Sequence, residues 1–176
     1  ILPWLERFRF VRGQPLLYEI HRVHNSYIIP ACVPTYDKDG RVSLESESNG
    51  CFVCGPANPI GLNLRFRLDG EICRSQFTAD SRHIGYRDVV HGGIVFSLLD
   101  DVMANWLWLQ GIQCFTAKAD VRYRAQLPVG VPVQLEGRCL KRKGRLALME
   151  GKVLREDTQE VVAEANGSFM TPQTPQ

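Results

Sequence analysis

Only one stretch of this chain, from Gly93 to about Leu109, carries a long helical pattern, and it is apolar on almost every side. Ile94, Val95, Phe96, Leu98, Leu99, Val102, Met103, Trp106 and Leu107 leave no broad wet face, so other elements must enclose this helix. Strands are available to do so. Phe115, Ala117, Ala119, Val121, Tyr123, Ala125 and Leu127 alternate without error with Thr116, Lys118, Asp120, Arg122, Arg124 and Gln126, the period of a strand with one wet face. Leu62, Leu64, Phe66 and Leu68 alternate with Asn63, Arg65 and Arg67. Asp69-Gly70 then turns the chain back into an antiparallel partner from Glu71 to Ala79. A loop is expected from Asp80 to Val90. Later, Val131 to Arg142 and Arg145 to Arg155 flank a second hairpin at Lys143-Gly144, and Val161, Ala163, Ala165, Gly167 and Phe169 mark the last strand. The order is two strands, one long helix and four strands. An antiparallel sheet of about six strands curling around a single central helix is the economical α+β solution.

The domain so described runs from residue 50 to 171. Residues 1–49 mix aromatic, basic and apolar positions without a clean period and are expected to form an N-terminal arm; residues 172–176 have the composition of a disordered tail. A chain of 176 residues with 44% hydrophobic and 23% charged residues can bury its own core. Its net charge of +2 is too small to argue for nucleic acid or an anionic membrane. No apolar run reaches the ~20 residues of a membrane-spanning helix. The first residues, Ile1 to Arg7, lack both a starting Met and the layout of a signal peptide, so a cytoplasmic, trimmed chain is expected. Of the six cysteines, only Cys51 and Cys54 form a close pair. A structural zinc site ordinarily needs a second such pair or two suitably spaced histidines. His21 and His24 lie far upstream, so no metal is expected.

Two features point to chemistry. His91-Gly92-Gly93 opens the helix, where free N–H groups and the positive end of the helix dipole can hold an oxyanion. Glycine there lets a carbonyl approach the backbone, and the same dipeptide also serves as an ordinary tight turn. Asp100 and Asp101 then interrupt an apolar helix. Ser97, Asp101 and Asn105 fall on one polar stripe, which accounts for Asp101. Asp100 sits near Phe96, Met103 and Ala104, surroundings that raise a carboxyl pKa and suit a general base or a nucleophile. The eight residues between Gly92 and Asp100 span roughly 12 Å of helix. Both groups would need to stand about 3 Å from one reacting carbonyl. If both act, they come from two copies of the chain, and the enzyme is a homodimer or a tetramer built from it.

His91-Gly92-Gly93 with Asp100, a helix between strand pairs, and Thr116 ahead of Tyr123 resemble the hotdog-fold thioesterases related to phenylacetate-pathway enzymes. The segment Gly50-Cys51-Phe52-Val53-Cys54-Gly55-Pro56-Ala57-Asn58-Pro59-Ile60-Gly61-Leu62 resembles the opening of one branch of that superfamily. The resemblance covers residues 50 to 170. It implies a hotdog fold and hydrolysis of an acyl-CoA thioester without a separate cofactor, coenzyme A being part of the substrate. It implies that Gly92 polarises the carbonyl, with His91 supporting the loop and Gly93 among the substrate-binding residues. Asp100 of the partner subunit would activate water or attack the carbonyl itself, and Thr116 would position the water. Relatives commonly carry Asn or Gln in the loop before His91. Here His83 and Tyr86 are the polar groups in that place. Arg142 and Lys143 at the hairpin, with Arg122 and Arg124, are candidates for the phosphates of coenzyme A. The acyl group would lie near Phe96, Met103 or Trp106. The alternative function is an acyl-CoA-binding protein that does not turn its ligand over.

Overall fold

The computed structural model describes residues 48–172. The expected N-terminal arm, except its last two residues, and the tail beyond Pro172 lie outside the described residues, as do His21, His24 and Cys32. The described elements run β1 (Arg67–Asp69), β2 (Ile72–Thr78), a 3-10 turn (Ser81–His83), β3 (Ile84–Tyr86), β4 (Val89–Val90), α1 (Gly92–Trp108), β5 (Phe115–Tyr123), β6 (Pro132–Lys143), β7 (Leu146–Arg155) and β8 (Val161–Met170). Six strands form one antiparallel sheet in the order β1-β2-β6-β7-β8-β5, while β3 and β4 pair separately. The helix packs against β2, β5, β6, β7 and β8. This is the expected architecture, one central helix against a six-stranded sheet. No helix among the described residues is long and apolar enough to cross a membrane.

Two predicted hairpins close where expected, with Gly70 at φ 59° and Gly144 at φ 56° supplying the left-handed residue each turn requires. The first strand differs. Alternation predicts it from Leu62, yet sheet pairing begins only at Arg67. Asn63 takes φ 56°, and the N–H groups of Leu62 and Leu64 donate to the carbonyls of Phe52 and Val53. Leu64 is buried all the same, so the alternation records packing against a turn rather than a ladder. The strand expected to run through Leu127 ends at Tyr123. The predicted loop from Asp80 to Val90 contains the 3-10 turn and the β3–β4 ribbon, whose turn has Arg87 and Asp88 at φ 40° and 61°. Arg-Asp is not a typical sequence for such a turn, which is why alternation and turn signals pass over it.

The two faces of the sheet are built differently. Toward the helix, Gly137 of β6 and Gly151 of β7 are register partners, and Gly167 of β8 lies next to them. A Cβ on Gly137 would stand 2.4 Å from the Val102 carbonyl oxygen, and one on Gly151 3.1 Å from Met103 Cγ. The helix backbone therefore rests directly on the sheet. Around that contact Leu98, Leu99, Val102, Met103 and Leu107 are fully buried with Leu135, Met149 and Phe169. Each such side chain contributes on the order of 1.5–3 kcal/mol, which fixes the helix and whatever it carries. On the opposite face Arg74, Glu136, Lys152, Glu164 and Arg122 form one row of alternating charge across five strands. Exposed pairs of this kind are worth roughly 0–1 kcal/mol each, so the row defines a wet face more than it stabilises the fold.

Candidate active site

The start of α1 is shaped by its own cap. His91 has extended backbone, its Nδ1 accepts the Gly93 N–H at 2.9 Å, and its carbonyl accepts from Ile94 and Val95. The Gly92 N–H is bonded to none of the described residues. It is the one donor of the first turn left over, at the positive end of the helix dipole. The two glycines differ in the reason for being there. A Cβ on Gly93 would lie 2.9 Å from His91 Nδ1, against the cap itself. A Cβ on Gly92 would meet only the Tyr123 ring, at an ordinary 3.6 Å. Nothing in the described fold therefore demands glycine at 92. Tyr123, from β5, donates its hydroxyl proton to the Gly92 carbonyl at 2.9 Å and ties the edge strand to the helix start.

Two turns along the helix, Asp100 meets the other end of the same strand. Thr116 Oγ1 donates to Asp100 Oδ1 at 2.8 Å. Burial pushes the Asp100 carboxyl above its ordinary pKa, and the Thr116 bond pulls back against that rise. Helix geometry keeps Gly92 and Asp100 of one chain roughly 12 Å apart. The structure thus brings His91, Gly92, Gly93 and Tyr123 into one group and Asp100 with Thr116 into a second.

Other expected site residues are elsewhere. His83 is committed to its own loop: its Nδ1 accepts the Asp80 N–H at 3.0 Å and its ring lies edge-on to Phe77. Tyr86 is 68% exposed beneath the Arg87 guanidinium. Arg122 belongs to the outward charged row, and Arg124 is paired with Glu164. Arg142 and Lys143 stand exposed at the β6–β7 hairpin. Of the three residues expected along the acyl group, Met103 is fully buried beside Gly151 and Gly167 and is core. Phe96 and Trp106 are half-buried, and Trp106 Nε1 donates to the Glu71 carbonyl at 2.8 Å. A cavity of about 490 Å³ is lined by Leu62, Arg65, Phe77, Thr78, Asp80 and His83 among others, and by none of Gly92, Asp100 or Thr116.

Sequence reasoning missed one constellation. Asp101 does bond to Asn105, whose Nδ2 donates to Asp101 Oδ2 at 3.0 Å, as the polar stripe predicts. It also faces Cys51 and Cys54, and one ligand atom from each of the three lies within 4.8 Å of the others. Burial first, then the Asp100 charge, push the Asp101 carboxyl up to about 6, while hydrogen bonds from Cys54, Asn105 and Cys51 oppose the rise. Burial pushes the nearby thiols of Cys73 and Cys114 up to about 12. The Cys-x-x-Cys spacing was the available signal, but its third member comes from a residue about fifty positions away.

Residues 88–162 match the family model of the thioesterase superfamily. No curated protein matches the chain. Among solved structures, the chain is similar to a thioesterase superfamily protein at 27% identity and a TM-score of 0.62. That match covers 67% of this chain and 61% of the relative, so less than two thirds of the relative's length is spanned. A hypothetical thioesterase from Streptococcus pneumoniae TIGR4, solved with coenzyme A, is similar at 14% identity and TM-score 0.59, over 65% of this chain and 92% of that one. A putative thioesterase from Ralstonia eutropha JMP134, related to phenylacetic acid degradation, is similar at 20% identity and TM-score 0.59, over 72% and 98%. The last two establish a shared fold.

Proposed function

From the match of residues 88–162 to the thioesterase superfamily model, we propose that the protein belongs to that superfamily and hydrolyses the thioester bond of an acyl-CoA at a site completed by a second copy of itself. The observation that carries this reading is the pair of groups on one helix: an unbonded Gly92 N–H at its start and a half-buried Asp100 held by Thr116 two turns on. In the proposed step, the Gly92 N–H of one subunit binds the thioester oxygen as negative charge develops on it. Asp100 of the partner subunit takes a proton from water as the water oxygen bonds to the carbonyl carbon. The tetrahedral intermediate then expels coenzyme A as a thiolate, which recovers the proton from Asp100. The Thr116 hydroxyl occupies Asp100 Oδ1 and so orients the carboxylate, leaving Oδ2 for water. His91 and Tyr123 hold the loop that presents Gly92.

The need for two copies follows from the ~12 Å between the two groups. The β5 edge supports it. That strand pairs only with β8 among the described residues, and its Phe115 and Tyr123 are 58% and 52% exposed. A free edge carrying apolar residues is a ready place for the same strand of a second chain. Coenzyme A bound to the S. pneumoniae relative favours the substrate class, and Arg142 and Lys143, exposed at the β6–β7 hairpin, are candidates for its phosphates.

Free thiol release from a panel of acyl-CoAs, compared between the native chain and Asp100→Asn, tests the proposal. Turnover by the native protein and its loss in the variant are expected. A native protein that binds coenzyme A esters without releasing thiol would instead be a binding module. The absence of an Asn or Gln in the loop from His83 to Val90 favours that second reading.

A further inference from the structure

We propose that Cys51, Cys54 and Asp101 form a binding site for one thiophilic divalent cation, zinc first among them, which pins the Cys-x-x-Cys turn to the central helix. The geometry carries the inference. Cys51 Sγ stands 3.9 Å from Asp101 Oδ1, too far for a strong S–H···O bond. Two ligands of one tetrahedral zinc, at about 2.3 Å for sulfur and about 2.0 Å for oxygen, stand roughly 3.5 Å apart. One ligand atom from each of the three residues lies within 4.8 Å of the other two, so a small adjustment closes the triangle around an ion.

The turn is already built to present sulfur. The Val53 N–H donates to Cys51 Sγ at 3.3 Å, an interaction that favours a thiolate there. The Gly55 N–H closes on the Cys51 carbonyl at 3.0 Å. Only glycine fits at 55, because a Cβ would come within 2.4 Å of the Cys51 nitrogen and 2.5 Å of its carbonyl oxygen. Val53 is buried, and its carbonyl accepts the Leu64 N–H, so the turn is fixed from behind. The carboxylate is fixed as well, by Asn105 Nδ2 at 3.0 Å.

Charge points the same way. Three groups that can each be anionic converge in a half-buried place, and among the described residues no Lys, Arg or His pairs with Asp101. A cation bound there would be the counter-charge that no neighbouring side chain supplies. The alternative use of a Cys-x-x-Cys pair, dithiol–disulfide exchange, requires a thiolate stabilised by positive surroundings. Here the group that faces the pair is the Asp101 carboxylate. On binding, both thiols release their protons to solvent, and the cation compensates the three negative ligands. Three protein ligands leave a fourth position for water. The inference does not depend on the thioesterase reading.

The test is a titration of the metal-free full chain with Co²⁺, following sulfur-to-cobalt charge transfer in the near ultraviolet and the visible bands of a tetrahedral site. One equivalent per chain is expected, displaced by Zn²⁺. The charge-transfer band should vanish in the double variant Cys51→Ser/Cys54→Ser, and affinity should drop about 10- to 100-fold in Asp101→Asn. A natively folded protein that shows no stoichiometric charge-transfer band overturns the proposal without any variant. So does cobalt binding that survives the double substitution undiminished, or a Cys51–Cys54 disulfide that accounts for both thiols in protein reduced and then exposed to air in the presence of zinc. If the double variant does not fold, Asp101→Asn decides: unchanged affinity for cobalt overturns the site as drawn.

Discussion

Asp100 and Asp101 are neighbours on one helix, and they live in different chemistries. Asp100 looks toward the edge strand, where it has a single hydroxyl partner and an oxygen to spare. Asp101 looks toward the Cys51–Cys54 turn, where two thiols and an amide converge on it. Consecutive helix residues point about 100° apart, so a single position decides which surrounding element a carboxylate meets. Burial raises both carboxyls, that of Asp101 to about 6. What separates the two is their company. An edge strand leaves room for a substrate or a second chain, whereas a tight glycine-closed turn leaves room for an ion.

Substitutions on each side of this pair sharpen or break the contrast. The largest effect is expected from Asp100→Asn, with kcat for thiol release down about a hundredfold or more and the cobalt spectrum of the Cys51–Cys54 turn retained. Loss of both readouts together would mean that the two carboxylates serve one site. Thr116→Ala should follow. A hydrogen bond to a charged group is worth about 1.5–3 kcal/mol, so kcat should fall roughly ten- to a hundredfold, with Thr116→Ser restoring most of it. Gly137→Ala probes what the two sites share. Its Cβ would collide with the Val102 carbonyl, and lifting the helix should lower stability to urea by about 1–3 kcal/mol, weakening turnover and metal affinity alike. Tyr123→Phe should be mildest, costing about 0.5–1.5 kcal/mol in urea unfolding and acting on thiol release while sparing the metal, since it touches only the Gly92 end.

Much of the scaffold is legible in the residues themselves. The unbroken alternation from Phe115 and the two glycine-containing hairpins mark β5 to β8 and the β1–β2 turn. The all-apolar helix announces that it must be enclosed. These signals are local, and the physics behind them is local too. The strand anticipated at Leu62 shows the limit, since alternation reports which side chains are buried and is silent on what buries them. Backbone donors at Leu62 and Leu64 go to Phe52 and Val53 instead. Asp100 stands out because its helical neighbours offer a carboxylate little but apolar contact. Asp101 does not, because Asn105 four residues on already explains it. Only the packing of residues 51–54 against the helix discloses a second set of partners. A polar residue with one satisfactory explanation can still have another.

The three glycines beneath the helix have a consequence for how this site tolerates change. Where Gly137 supplies no side chain, the height of the helix above the sheet is set by backbone on backbone, while Gly151 and Gly167 make room for the Met103 side chain. Core side chains farther out can then drift in size over time, filling or loosening their own corners, without altering the level at which Gly92 and Asp100 are presented. Variation in the periphery is thereby decoupled from the register of the helix on the sheet.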